Sequence, residues 1–256
     1  MKKLIKVVFS IAAVIAVCSV VVGALDRKDQ KKREEKAKAE GKEIHKPYGL
    51  YEKYMKRPLD FFLSFVALIV LSPVMAVTAI LIRLKLGSPV FFIQERPGRD
   101  ERIFKIIKFR TMTNERDEYG NLLSDHDRLT SLGAFLRKSS IDELPELFNV
   151  IRSDMSIIGP RPLLKEYLPF YSELEKHRHD VRPGVSGLAQ VNGRNSLEWD
   201  SRLAFDVKYV DKITFIEDVR IFFKTLQKVL KSEDVAVDSE TVEPWFNRER
   251  VRNNIH

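Results

Sequence analysis

The stretch Phe61-Phe-Leu-Ser-Phe-Val-Ala-Leu-Ile-Val-Leu-Ser-Pro-Val-Met-Ala-Val-Thr-Ala-Ile-Leu-Ile82 runs for 22 residues without a charge. About 20 apolar residues suffice for a helix to cross a bilayer. Two features argue against a simple crossing. Ser72-Pro73 lies in the middle, and an interior proline removes a backbone hydrogen bond and clashes with the preceding turn. Both flanks are basic, with Lys53, Lys56 and Arg57 before and Arg83 and Lys85 after, so positive-inside bias places both ends in the cytoplasm. A helix–break–helix that enters and leaves by one face meets both constraints. Each half, about 11 residues or ~16 Å, reaches roughly midway through a ~30 Å hydrocarbon core. A single kinked crossing is the alternative, since membranes tolerate proline.

Outward toward the N-terminus, Val7–Leu25 is a second charge-free run, of 19 residues. It reads as a transmembrane anchor. The rival reading is a secretory signal peptide cleaved after Val22-Gly23-Ala24; a lipoprotein signal is weaker, because Val17 before Cys18 is too large. Nine Lys/Arg follow within Arg27–Lys46, against three before the run, which keeps the C-terminal side cytoplasmic and favours the uncleaved anchor. Asp26–Lys46 is dense in Lys, Glu and Ala without an apolar stripe, and is expected to be a solvated helical or disordered spacer ended by Pro47.

The net charge of +8 is concentrated in this extension: residues 1–46 carry +6 and the other 210 only +2. Nucleic-acid binding wants a basic surface on the folded part, so membrane phospholipid is the expected anionic partner of the basic stretch. With 44% hydrophobic and 31% charged residues, the chain is neither disordered nor a polytopic bundle. The lone Cys18 excludes a disulfide framework and a Cys-based zinc site.

From Gly87 to about Lys231 short apolar runs alternate with turn signals. Val90–Gln94 and Ile103–Phe109 read as strands; Gly133–Arg137, Leu144–Ile151 and Asp218–Lys231 read as helices. In the last, Val219, Phe222, Phe223, Leu226 and Leu230 share one face, with Arg220, Lys224, Lys228 and Lys231 around the other. That face either packs on the core or lies on the membrane, and the pattern leaves both open. Residues beyond Ser232 read as a polar tail.

No glycine-rich dinucleotide fingerprint, P-loop, nucleophile elbow or His-Glu-x-x-His is present. His177 and His179 lack a third ligand nearby and are expected to be a surface pair. The informative stretch is Arg137-Lys-Ser-Ser-Ile-Asp-Glu-Leu-Pro-Glu-Leu-Phe-Asn149. Structurally, Ser140 and Glu143 have capping-box spacing, or Asp142 caps a helix with Pro145 in its first turn; either version occupies one carboxylate. Functionally, one carboxylate can attack phosphorus while its neighbour holds Mg²⁺, with Lys108, Arg110, Arg137 and Arg161 supplying positive charge.

Several motifs in order carry a resemblance. Lys56-Arg-Pro-Leu-Asp60, Ser72-Pro73, Gln94-Glu-Arg-Pro-Gly98, Phe104-Lys-Ile-Ile-Lys-Phe-Arg-Thr-Met112, Ile141-Asp-Glu-Leu, Gly159-Pro-Arg-Pro162, Arg182-Pro-Gly184, Gly187-Leu-Ala-Gln190 and Val191-Asn-Gly-Arg194 resemble the bacterial sugar transferase family, the monotopic phosphoglycosyl transferases. The resemblance runs from about Tyr51 to Lys231 and extends most to the small enzymes that begin bacterial protein N-glycosylation. It implies an α/β, mostly α, monotopic membrane protein with a re-entrant helix broken at Ser72-Pro73, surface amphipathic helices and a small cytosolic catalytic domain, to which this chain adds an N-terminal transmembrane helix. The implied division is 1–25 anchor, 26–50 charged linker, 51–88 re-entrant helix, 89–232 catalytic domain and 233–256 tail.

The resemblance implies transfer of a sugar-1-phosphate from a UDP-sugar to undecaprenyl phosphate, with release of UMP, at the cytoplasmic face of the bacterial inner membrane. The donor is expected to be N-acetylated, with a diacetamido-trideoxyhexose as one option. Asp142 would be the nucleophile and Glu143 a Mg²⁺ ligand. Lys108, Arg137 and Arg194 would bind substrate, and Gly159, Pro160, Arg161 and Pro162 would hold the nucleotide. Lys56, Arg57 and Asp60 would anchor the re-entrant helix at the interface. Downstream glycosyltransferases are the expected protein partners. Two other functions stand beside this one: a non-catalytic scaffold of the same fold, and an enzyme transferring sugar without its phosphate, which would release UDP.

Overall fold

A computed structural model describes residues 2–41, 44–193, 197–231 and 246–253. Helix α1 (Lys2–Glu40) is followed by a single π turn (Tyr51–Met55) leading into α2 (Lys56–Lys85). A β1 (Phe91–Pro97)–β2 (Ile103–Phe109) antiparallel hairpin comes next, then α3 (Ser131–Lys138), α4 (Glu146–Ile151), β3 (Ser156–Ile158) and β4 (Gly184–Ser186). Helices α5 (Trp199–Asp211), α6 (Phe215–Lys231) and α7 (Phe246–Asn253) complete the described chain. Strands β3 and β4 pair in parallel, Ser156 with Gly184 and Ile158 with Ser186. Only glycine fits where they end, because a Cβ on Gly184 would lie 2.1 Å from the Gly159 nitrogen.

Helix α2 is continuous, where two half-helices were expected. Pro73 withholds the N–H that would have met the Ile69 carbonyl, and the Ser72 hydroxyl donates to that carbonyl instead, at 2.8 Å. A hydroxyl thus replaces the missing donor. Both ends of α2 rest on the same globular domain. Near the start, Arg57 donates to the Ile151 carbonyl (3.1 Å) and Ser153 (2.7 Å), while Asp60 accepts from Ser156 (2.6 Å) and the Ile157 N–H (3.3 Å). In its second half, Met75 and Ile82 join Phe109 and Leu136 in one apolar cluster. Leu63, Ile69, Val70, Val77, Ile80 and Leu84 face outward.

The expected spacer is docked. Helix α1 passes unbroken through Asp26 and crosses α2 closely, a Cβ on Gly23 lying only 2.5 Å from Pro58. Beyond the crossing, Asp26 pairs with Arg182, Asp29 with Arg99 at 2.6 Å, and Arg33 with Asp100 at 2.7 Å. Local sequence carries no sign of these contacts because the partners lie 67 or more residues away.

Two further expectations change. In α6 it is Ile221 and Asp218 that are buried, whereas Phe223 is 63% and Leu230 85% exposed. The aromatic face therefore points outward, and the core-packing reading fails. The tail supplies α7, whose Phe246 is fully buried among Tyr167, Tyr171 and Trp199. An aromatic ring buried this way contributes on the order of 2 kcal/mol by area alone.

Candidate active site

The β1–β2 hairpin, the turn before α4 and the end of β3 converge on a cleft of about 700 Å³. Strand β2 presents Lys108, and its register against α4 is held by Asn149, which accepts the Ile107 N–H (3.1 Å) and donates to the Lys105 carbonyl (2.8 Å). Asn149 is fully buried, and its amide completes hydrogen bonds that the strand edge would otherwise lack.

The acidic turn differs from both capping readings. Ser140 adopts a left-handed conformation (φ 55°) and caps nothing, residues Ile141–Glu143 form a single 3₁₀ turn, and Pro145 sits at the start of α4. Neither carboxylate is occupied by a helix end. Glu143 Oε1 accepts from Lys108 Nζ (2.7 Å) and from Arg161 Nη2 (2.6 Å). Lys108 Nζ also lies 3.1 Å from Glu146 Oε1. Asp142 is only 9% exposed, and among the described residues its carboxylate makes no hydrogen bond or ion pair.

These surroundings push the acids apart. Burial, reinforced by the Glu143 charge, raises Asp142 to about 6 against the pull of Lys108, Arg137 and Arg161. Burial would raise Glu143 too, but Arg161 and Lys108 override it and hold that carboxyl well below its ordinary range. Glu146 rises to about 7 because burial outweighs Lys108, with Glu143 adding repulsion. Lys108 resists burial through Glu143 and Glu146 and is raised. Asp142 thus stands in a cation-rich cleft with no direct partner among the described residues. Divergent neighbouring carboxyls of this kind mark divided chemical roles.

Of the expected positive charges, Arg137 lines the cleft and donates Nε to Thr111 Oγ1 at 3.1 Å. Arg110 also lines the cleft, and its guanidinium donates to the Leu86 carbonyl and the Ser88 carbonyl (2.9 Å) at the end of α2. The Gly159–Pro162 loop is pinned by Gly159 N–H to Ser186 O (2.8 Å) and Gly184 N–H to Pro160 O (2.9 Å). Lys56, expected at the interface, binds Asp218 at 2.6 Å; with Arg57 and Asp60 it fastens α2 to the domain. Arg194 lies outside the described residues. Of the histidine pair, His177 is exposed and 2.8 Å from Asp180, whereas His179 is buried against Tyr171.

Sequence reading missed a buried ion pair beside the site. Arg178 binds Asp206 (2.8 Å) and donates to the Arg161 carbonyl (2.6 Å), so it fixes the backbone that carries Arg161. Nothing local signals a pair 28 residues apart. Glu146 was legible: it stands three residues after Glu143, on the same side of a helical turn.

Comparison with known proteins agrees with this geometry. The family model described as bacterial sugar transferase matches residues 51–232. Sugar transferase EpsL of Bacillus subtilis is 49% identical over 71% of this chain and 90% of its own length. Exopolysaccharide production protein ExoY of Sinorhizobium fredii is 36% identical over 69% of this chain and 86% of its own. The UDP-N-acetylgalactosamine-undecaprenyl-phosphate N-acetylgalactosaminephosphotransferase of Aeromonas hydrophila is 39% identical over 69% of this chain but only 44% of its own length. By the match over residues 51–232 and these relatives, the chain belongs to the bacterial sugar transferase family and is a phosphoglycosyl transferase enzyme.

Proposed function

We propose that the enzyme transfers a sugar-1-phosphate from a UDP-sugar to undecaprenyl phosphate, releasing UMP, through an aspartyl-phosphosugar on Asp142. The observation that carries this reading is the Asp142 carboxylate, buried in the cleft and without a partner among the described residues. An Asp142 oxygen attacks the phosphorus bearing the sugar. The new O–P bond forms as the P–O bond to UMP breaks, and UMP leaves with that electron pair. A phosphate oxygen of the acceptor then attacks the same phosphorus, the aspartyl O–P bond breaks, and the carboxylate is restored. Lys108, Arg137 and Arg161 face the charge that develops on the transferring phosphoryl oxygens.

Mg²⁺ fits this donor set as an ion arriving with the diphosphate. Glu143 is a strong anion whose Oε1 takes both cations, while Oε2 is not engaged among the described residues. Those residues contain no cluster of three His, Cys, Asp or Glu suited to a resident metal. Bound there, the ion would neutralise the diphosphate and ease departure of UMP.

Two helices support the membrane arrangement. A crossing helix has its ends on opposite faces, yet both ends of α2 rest on one domain, which favours entry and exit by the same, cytoplasmic, face. The Gly23–Pro58 crossing sets the end of the α1 apolar run level with the start of the α2 run. That level supports a bilayer boundary there, with α1 spanning outward and its Asp26–Arg33 segment on the cytosolic domain. The exposed apolar face of α6 would lie in the interface. An N-acetylated donor is favoured by the Aeromonas relative's name, and polysaccharide assembly over protein glycosylation by the Sinorhizobium relative's.

The test is UMP release from a panel of UDP-sugars with purified protein, undecaprenyl phosphate and Mg²⁺. UMP formed with one donor and abolished by excess chelator is expected. Release of UDP would replace the covalent route with direct glycosyl transfer. Silence from folded protein across the panel would leave a scaffold.

A further inference from the structure

One face of β1 changes chemistry along its length. Phe92, Gln94 and Arg96 all line the catalytic cleft, alternate positions of a strand sharing a face about 7 Å apart. The series runs apolar, amide, cation, and its apolar end is the one joined to the membrane: Lys85, the last residue of α2, precedes Phe92 by seven positions. Directly across the hairpin from Phe92 is Lys108, and opposed residues of an antiparallel pair have Cβ atoms about 5 Å apart. Phe92 is nevertheless 46% exposed, while Gln94 and Arg96 bind each other at 2.7 Å. On the other strand face the same end carries exposed Phe91 and Ile93, and Leu84 is exposed at the end of α2.

We propose that Phe92 is the acceptor-specificity residue, seating the first isoprene units of the lipid phosphate at the membrane-side mouth of the cleft so that its phosphate passes Lys108 toward Asp142. This rests on the lipid-phosphate acceptor proposed above. The occupant is isoprenoid because the ring is apolar, half-uncovered and continuous with the bilayer helix, while the cation beside it matches the phosphate that begins the chain. A nucleobase stacked on Phe92 is the competing occupant. It would place the donor at the membrane end of the face and leave the buried cationic end, at Arg96, without a phosphate.

The test separates the two half-reactions. Phe92→Ser and Phe92→Leu are compared with wild type for KM toward undecaprenyl phosphate in mixed micelles, KM toward the UDP-sugar, and the UMP burst formed without acceptor. Phe92→Ser is expected to raise the acceptor KM about tenfold, the loss of a large part of one ring's apolar contact. The burst and donor KM should stay within twofold, and Phe92→Leu should recover most of the acceptor affinity. A slowed burst with a raised donor KM would overturn the proposal in favour of base stacking, and an unchanged acceptor KM would overturn it outright. Retention of undecaprenyl phosphate by wild type and Phe92→Ser in native mass spectrometry reads the same contact without turnover. Wild type that retains the lipid better than the variant yet forms no UMP would sink the reaction and leave the seat standing.

Discussion

Two charged clusters in this molecule are built from the same residue types and do different things. Behind the domain, Asp26, Asp29 and Arg33 of α1 meet Arg182, Arg99 and Asp100, and each named charge has an opposite partner. In the cleft, Lys108 and Arg161 converge on Glu143, Lys108 leans also on Glu146, and Asp142 stands among them without a partner among the described residues. The first cluster is a fastening, since matched charges at a partly wet surface lower no barrier. In the second, burial withholds most solvent from one carboxylate and no described residue pairs with it, the state that suits the proposed nucleophile.

Asp142→Asn is the sharpest cut through this contrast. It removes the unpartnered charge and nothing that holds the fold, so turnover should fall on the order of 10⁴-fold while the melting temperature stays within about 2 °C. A stopped-assay UMP measurement beside a thermal scan decides it, and substantial retained turnover would remove Asp142 from the chemistry. Lys108→Met leaves Glu143 and Glu146 facing each other with one cation fewer. Activity should drop about 100-fold and the fold lose about 3 kcal/mol, because a buried charge deprived of its partner is costly. Denaturant melts would expose an error if stability did not change.

The pH dependence follows from the raised carboxyls. Turnover should climb about tenfold per unit up to pH 6, as Asp142 ionises near 6. Glu146 binds its proton more tightly folded than unfolded, about 7 against 4.5. Its stabilising contribution is therefore complete below pH 4.5 and is lost as pH rises through 7. Glu146→Gln should flatten that decline in a series of urea melts, and an undiminished slope would assign it to another group.

The smallest effect belongs to the fastening. Asp26→Asn should cost about 1 kcal/mol, shrink with salt, and change turnover less than twofold. A tenfold loss of activity there would erase the distinction between the two clusters.

Local pattern carried part of this structure. A short apolar run bounded by turn signals delimited β2 as Ile103–Phe109, and adjacency singled out Asp142 and Glu143. It failed where a side chain had two uses. The capping readings assumed Ser140 in an ordinary pre-helical conformation, and its left-handed backbone frees the carboxylates for the cleft. Arg110, expected to supply positive charge, lines the cleft and also donates to the carbonyls that end α2.

Near neighbours along the chain were enough to read apolar runs long enough for a bilayer, a short apolar strand at Ile103–Phe109 and an adjacent acidic pair; they misplaced the buried face of α4, which is Glu146, Asn149 and Val150. Only the tertiary structure decided that Glu143 is neutralised while Asp142 is not. That outcome depends on Lys108 and Arg161, which lie 35 and 18 residues from Glu143, and on the burial of Asp142 by chain segments distant in sequence. The same holds for α1, a solvated helix on composition and a docked one in space. Coulombic matching acts across a few ångströms in space, whatever the distance along the chain.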